Sequence, residues 1–195
     1  MDITRRSTLS GLLLLPLATT EAMAQLNATY ALIQKARQQI GVTVLYDPAY
    51  VGLAYPGGDV PIDRGVCIDV VIRAYRDAFD FDFQKHIHED MKSNFGHYPK
   101  TWGLTRTDRN IDHRRVPNLE TWLQRHGHEL PANTWQPGDL ITCRVGGSLP
   151  HIGIVSNRQN GVGQFKAIHN IGLGTLEDSR IWPYGHKRRF RFIPA

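Results

Sequence analysis

Apolar positions along this chain follow helical spacing in its first half and strand spacing in its second. From Asn27 to about Gln39 they recur at helical intervals, with Leu32, Ile33, Ala36 and Ile40 on one face and Asn27 placed to cap the first turn. Between Tyr46 and Gly65 the pattern gives way to turn punctuation, Asp47-Pro48 and Tyr55-Pro56-Gly57-Gly58-Asp59. Helical spacing returns over 66–79. At about 100° per residue, Asp69, Arg73, Arg76 and Asp77 share one narrow polar stripe. Cys67 lies on the other side with Val71, Ala74 and Ala78, so it faces the protein body.

From Phe81 to Val116 periodicity is poor, with a short helix predicted near Lys85–Ser93. The remainder of that stretch, 94–117, is long, aromatic and basic, and loops of such length in a compact domain tend to be functional or mobile. It is read as a substrate wall. Asn118 caps a further helix carrying Leu119, Trp122, Leu123 and His126, which Gly127 stops. Beyond it the period becomes that of strands: Asp139–Val145, His151–Ser156, Gln164–His169, then strands toward Ile193. Turn signals at Gly146-Gly147-Ser148 and over 157–163 make these consecutive antiparallel hairpins.

The first 24 residues read differently. A basic start at Arg5-Arg6, an apolar middle from Gly11 to Ala18 and the small-residue pattern Ala22-Met23-Ala24 form a secretory signal peptide, too short to span a membrane. The paired arginines fit twin-arginine export as well as they fit an ordinary leader. Residues 25–195 then form a single α+β domain, periplasmic or secreted, with no integral membrane segment. The formal charge of +5 suits an anionic envelope surface. No basic helix or aromatic-basic signature points to nucleic acid, and Lys187-Arg188-Arg189-Phe190-Arg191 reads as a solvated edge strand. With two cysteines, Cys67 and Cys143, the chain is not a disulfide scaffold.

Cys67 carries the chemistry. A thiol at a helix N-terminus sits where unpaired N–H groups and the macrodipole favour the anion. If the second hairpin is centred on Asn160-Gly161, His151 and His169 oppose each other on one face, with Cβ atoms roughly 5 Å apart. Gly153 and Ala167 follow along that face and leave it low enough to receive a helix end. Helix 66–79 then sets Cys67 against His151, while His169 holds the far ring nitrogen: a Cys67-His151-His169 triad. No metal or cofactor is implied.

Several segments resemble NlpC-type cell-wall cysteine peptidases. Trp135-Gln136-Pro137-Gly138-Asp139-Leu140-Ile141 is similar to the Pro-Gly-Asp-Leu lead-in of their sheet, Pro150-His151-Ile152-Gly153-Ile154-Val155 to their catalytic strand, and Ala167-Ile168-His169 to the strand of the third residue. Tyr55 resembles the tyrosine those enzymes keep near the nucleophile, at the oxyanion side of the cleft. Segments such as Gly65-Val66-Cys67-Ile68-Asp69 and Asn110-Ile111-Asp112-His113-Arg114-Arg115 also resemble a bacterial family catalogued as a domain of unknown function, over roughly Ile40 to Ile193. The resemblance implies a papain-like fold, with a helix bearing the cysteine at its N-terminus packed on an antiparallel β-sheet. It further implies an exported hydrolase that cleaves amide bonds in peptidoglycan stem peptides. The chain departs from the pattern in having Val66-Cys67-Ile68-Asp69 where those enzymes carry Asp-Cys-Ser-Gly.

Other readings stay open. A thioesterase or acyltransferase could use the same scaffold. An L,D-transpeptidase would place its histidine before its cysteine, the reverse of the order here. Among nine histidines, His86-Ile87-His88 and His126-Gly127-His128 could mark a metal-binding or wall-binding module, without a zinc spacing to support it. With the first hairpin centred near Ser148, Cys143 opposes Gly153, and a Cys67–Cys143 disulfide would switch the site off.

Overall fold

The structure, a computed structural model, describes residues 17–194. The basic start and most of the apolar middle of the expected leader lie outside these residues. Its expected cleavage site, Ala22-Met23-Ala24, falls within the first helix, α1 (Leu17–Arg37), on a stretch that stays exposed to Asn27. Leu32, Ile33 and Ala36 enter the core as the pattern requires, whereas Ile40 lies past the helix and is 36% exposed.

Two short strands, β1 (Leu45–Tyr46) and β2 (Arg64–Gly65), pair in parallel and bracket the turn-rich stretch. Helix α2 (Cys67–Phe79) follows at once. Its polar stripe is solvated only at its far end, where Asp77 is exposed. Asp69 and Arg73 are each 3% exposed, because chain segments from 43 to 66 fold over them. Arg73 binds both oxygens of Asp59, at 2.7 and 3.0 Å, together with Thr43 and the carbonyls of Val60 and Arg64. Helical spacing marks which residues share a face and not what covers that face, so these charges are a buried network instead of a wet surface.

Helix α3 (Phe83–Asn94) is capped by the Asp82 carboxylate, which accepts from the Gln84 N–H at 3.0 Å. Between α3 and α4 (Val116–Arg125) the chain makes three single 3-10 turns, Phe95–His97, Thr101–Gly103 and Asp112–Arg114. The cap of α4 differs from expectation. Arg115 occupies that position, with Pro117 in the first turn where its fixed φ fits, and the Asn118 side chain donates instead to the Asp112 carbonyl at 2.9 Å.

The rest is a six-stranded antiparallel sheet in the order β3-β8-β4-β5-β6-β7. The strands are β3 (Glu129–Leu130), β4 (Leu140–Val145), β5 (Leu149–Gln159), β6 (Phe165–Asn170), β7 (Thr175–Asp178) and β8 (Gly185–Phe190). Both faces are covered. Leu140, Ile152, Ile154, Ile168 and Phe190 pack with Cys67, Ile68, Val71 and Ile72 in the larger core. Ile141, Cys143, Val155 and Ala167 pack beneath Ile181 and Trp182 in a smaller one.

This division overturns one expectation. Helix α2 does not lie on the low face of Gly153; it lies on the branched face of Ile152, Ile154 and Ile168, which offers more apolar area to remove from water. Ile181 fills the low face. A Cβ added at Gly153 would lie 3.1 Å from His169 Cβ, 3.1 Å from the Ile168 carbonyl and 3.4 Å from Ile181 Cδ1. Gly153→Ala is therefore an overpacking change, expected to cost about 1–3 kcal/mol in urea unfolding. Unchanged stability would show that this face has slack.

Candidate active site

Cys67 begins α2 behind a turn that one carboxylate organises. Val66 is extended, with φ −105° and ψ −177°, and its N–H donates to Asp69 Oδ2 at 2.6 Å. Arg114 clamps the same carboxylate with Nε on Oδ1 and Nη2 on Oδ2, both at 2.9 Å. Gly65 leaves room for this contact, since a Cβ there would sit 3.0 Å from both Asp69 Cβ and Oδ2.

The thiol is 3% exposed and its pKa is pushed up to about 12. Burial is the main cause and the Asp69 charge adds to it, against the N–H groups of Ile152 and Ile68 that face the sulfur. The expectation that the helix tip stabilises a thiolate therefore fails for the resting protein. Lost hydration outweighs the dipole.

The histidines share a face, but in a register two residues from the expected one. Ile154 pairs with Ile168 and Val155 with Ala167, and the ladder shifts between Val155 and Gln159, absorbing extra residues on the β5 side of the hairpin. His151 then lies diagonal to His169, and its cross-strand partner on the other side is Cys143. The diagonal still brings His151 Nε2 within 2.8 Å of His169 Nδ1. His169 Nε2 in turn meets Asp178 Oδ1 at 3.1 Å. Asp178, at the end of β7, was not singled out from the sequence. Its signal is a carboxylate at a strand position paired with Ala167, on the face of His169.

This chain of bonds sets the tautomers. Asp178 is held below the usual carboxylate range: burial opposes this, but hydrogen bonds from His169 and Arg180 prevail. An ionised Asp178 accepts the proton on His169 Nε2. With its Nε2 proton donated to Asp178, His169 offers Nδ1 as the acceptor for the proton of His151 Nε2. His151 is left with an unprotonated Nδ1. Its pKa falls to about 3, chiefly through burial.

Sulfur and imidazole reach β5 from different sides. Cys67 packs with Ile152 and faces its N–H, while the neighbouring His151 turns to the side of Cys143. Among the described residues no hydrogen bond joins Cys67 to His151. Both cysteines are free thiols. Cys143 belongs to the smaller core and opposes His151, not Gly153. Of the paired histidines elsewhere, His86 and His88 separate, the first stacking on Phe81 and the second contacting Asp112 through Nδ1 at 2.8 Å, while His126 and His128 both lie against Trp122.

Cys67 lines a cleft of about 480 Å³, together with Tyr46, Tyr50, Trp102, Arg115 and Leu149. The expected wall does contribute, since Trp102, Ile111 and Arg114–Val116 all line it. Tyr55 does not. Its hydroxyl donates to Glu89 at 3.4 Å and its ring stands edge-on to His88. Tyr46, whose strand pairs with Gly65, takes the place beside the sulfur. Burial, then the charges of Cys67 and Asp69, raise its hydroxyl to about 12, so it keeps its proton as a donor.

Fold and site together describe a mixed α+β protein whose buried cysteine and histidine–carboxylate relay meet at one strand. The chain belongs to the domain-of-unknown-function family DUF1287, whose profile matches residues 33–192. It is similar to the uncharacterized protein YijF of Escherichia coli (strain K12), 50% identical over 178 residues that cover 88% of this chain and 86% of the relative.

Two outcomes test the electrostatics. Alkylation of Cys67 by iodoacetamide should rise about tenfold per pH unit through the mildly alkaline range, with no plateau, because the thiol titrates near 12. A plateau below pH 8 would mean a preformed thiolate. Stability should fall on acidification. His151 and His113 have folded pKa values of about 3 and 4, and burial leads both shifts, whereas an unfolded histidine titrates near 6.5. The unfolded state thus binds more protons below that value. The contribution of these histidines is complete above about pH 6.5 and lost as pH falls through 4. Urea unfolding from pH 7.5 to pH 4 measures the slope, which His113→Leu should flatten.

Proposed function

We propose that this protein is an exported cysteine hydrolase with a papain-like arrangement, cleaving amide bonds in peptidoglycan stem peptides. Cys67 is the nucleophile and His151 the base, with His169 and Asp178 orienting the ring. The carrying observation is the 2.8 Å and 3.1 Å relay from His151 through His169 to Asp178, which leaves a bare imidazole nitrogen on the residue preceding the Ile152 N–H that faces the sulfur. Export is supported by the exposure of α1 from Glu21 to Asn27, ahead of Leu32, the first core residue among the described residues.

With thiol and imidazole both neutral at rest, proton transfer accompanies attack instead of preceding it. This step requires the His151 side chain to turn toward Cys67 first; the sulfur then forms its bond to the amide carbon as its proton passes to His151 Nδ1. The carbonyl electrons move onto oxygen, where the Cys67 N–H and the Tyr46 hydroxyl can donate. Collapse breaks the C–N bond, and His151 returns its proton to the leaving amine. Water, deprotonated by the same nitrogen, then attacks the thioester and regenerates the thiol. A second reading, transfer of the acyl group to an amine, draws support from the 3% exposure of Cys67, which limits access of water.

Digestion of purified peptidoglycan followed by mass analysis tests both readings. New stem-peptide termini, absent with Cys67→Ala, identify hydrolysis; new crosslinks identify transfer. Neither product overturns the proposal. Tyr46→Phe is expected to lower kcat about a hundredfold by removing one oxyanion donor, while Tyr55→Phe leaves the rate unchanged. The opposite order would restore Tyr55 to the site.

A further inference from the structure

Arg115 is the unexplained cation of the cleft. Its neighbour Arg114 is fully engaged, bidentate on Asp69 and donating to the carbonyls of Ala49 and Asp47. Arg115 lines the cleft beside Cys67 with its guanidinium 5.2 Å from the Trp102 ring centroid. Its Nη1 is shielded from solvent and donates to nothing among the described residues. Among the described residues no aspartate or glutamate lines this cleft. A shielded, unpaired guanidinium nitrogen is costly to maintain, so such groups are normally paired by protein, water or ligand.

The platform around it is also unusual. Trp102 has φ 60° and ψ 32°, the left-handed region that a bulky residue rarely adopts, and it is 58% exposed. Strain of that kind persists where surrounding structure or function holds it. Here it presents an indole face to Arg115 at the rim of the cleft. Arg115 itself only precedes α4, and its side chain makes no cap hydrogen bond, so the helix does not require the guanidinium.

We propose that Arg115 and Trp102 form a carboxylate-binding subsite next to Cys67, and that the substrate is an acidic peptide carrying a carboxylate close to the amide bond attacked. The planar guanidinium fork matches a carboxylate in two parallel hydrogen bonds. One unpaired cation among apolar neighbours such as Ile111, Val116 and Leu149 suits a monoanion; a phosphate dianion would keep an unneutralised charge in a largely apolar cleft. The inference rests on the hydrolase reading for the meaning of substrate, while the subsite itself depends only on the cleft.

The test compares iodoacetate with iodoacetamide as alkylating agents at one pH, with modification of Cys67 and Cys143 separated by peptide mass mapping. The reagents share a reactive carbon and differ in carrying a carboxylate or a carboxamide, so thiol ionisation cancels in their rate ratio. In the wild-type protein the iodoacetate to iodoacetamide ratio at Cys67 should exceed that of N-acetylcysteine. Arg115→Gln should lower it about tenfold while leaving the iodoacetamide rate unchanged, and Arg115→Lys should fall between. A wild-type ratio no higher than that of N-acetylcysteine overturns the subsite without any variant. So does an Arg115→Gln protein, folded by circular dichroism, that keeps the wild-type ratio. Because alkylation needs no turnover, a raised ratio without peptidoglycan cleavage would retain the subsite and remove the hydrolase. Cleavage with an ordinary ratio would do the reverse.

Discussion

Asp69 accepts from the Val66 N–H at 2.6 Å and from two nitrogens of Arg114 at 2.9 Å. Through these contacts the first turn of α2 is joined to the wall of the cleft. The carboxylate satisfies one of the orphan N–H groups at the helix start. It also keeps Arg114, and with it the segment that presents Arg115, against the turn that leads into Cys67. Both partners are 3% exposed in their side chains. Removing either one would strand a buried charge, a loss of about 3–5 kcal/mol in comparable cases. Position of the thiol, shape of the cleft and aim of its free cation thus share one anchor.

That anchor has an electrostatic consequence. A carboxylate close to Cys67 opposes a thiolate, and burial opposes it more strongly. The relay on the other face works in the same direction, since burial holds His151 neutral. A site of this kind does not store a reactive anion. In an oxidising compartment a protonated, shielded sulfur resists adventitious oxidation, because the thiolate is the susceptible form. Reactivity then depends on what enters the cleft, and a substrate that seats its own charge on Arg115 brings polar groups to a place that otherwise has few.

Much of this was legible from residue spacing. Helical period placed Cys67 toward the body, and strand alternation put His151 and His169 on one face, which their 2.8 Å contact bears out. The register was missed by two residues because the turn is centred on Val162 and not on Asn160-Gly161, and the irregularity between Val155 and Gln159 takes back only half of that offset. Parity survives a shift of two, so the histidines still meet. Asp178 was missed because its link to His169 depends on how β7 pairs with β6, information that lies in no local motif. Tyr46 was passed over for Tyr55 because a resemblance along the chain carries no direction in space, whereas the pairing of Tyr46 with Gly65 does. The polar stripe of α2 was legible as a stripe, but its burial depends on a segment brought from 43–66.

Strands β5 and β6 perform the coupling by alternation. On β5, Ile152 turns its side chain to α2 and its N–H to the sulfur, while His151 turns to the relay. On β6, Asn170 donates to the Gly65 carbonyl at 3.0 Å, tying the turn before Cys67, while His169 bridges His151 and Asp178. Each strand therefore gives one residue to the Cys67 side and its neighbour to the His151–His169–Asp178 side. A slip of one position in either strand would exchange these roles, sending a histidine into the apolar core and an isoleucine or asparagine into the relay. The two halves of the site are kept in register by backbone pairing itself, so the sheet needs no direct bond between sulfur and imidazole at rest to hold them at the same level.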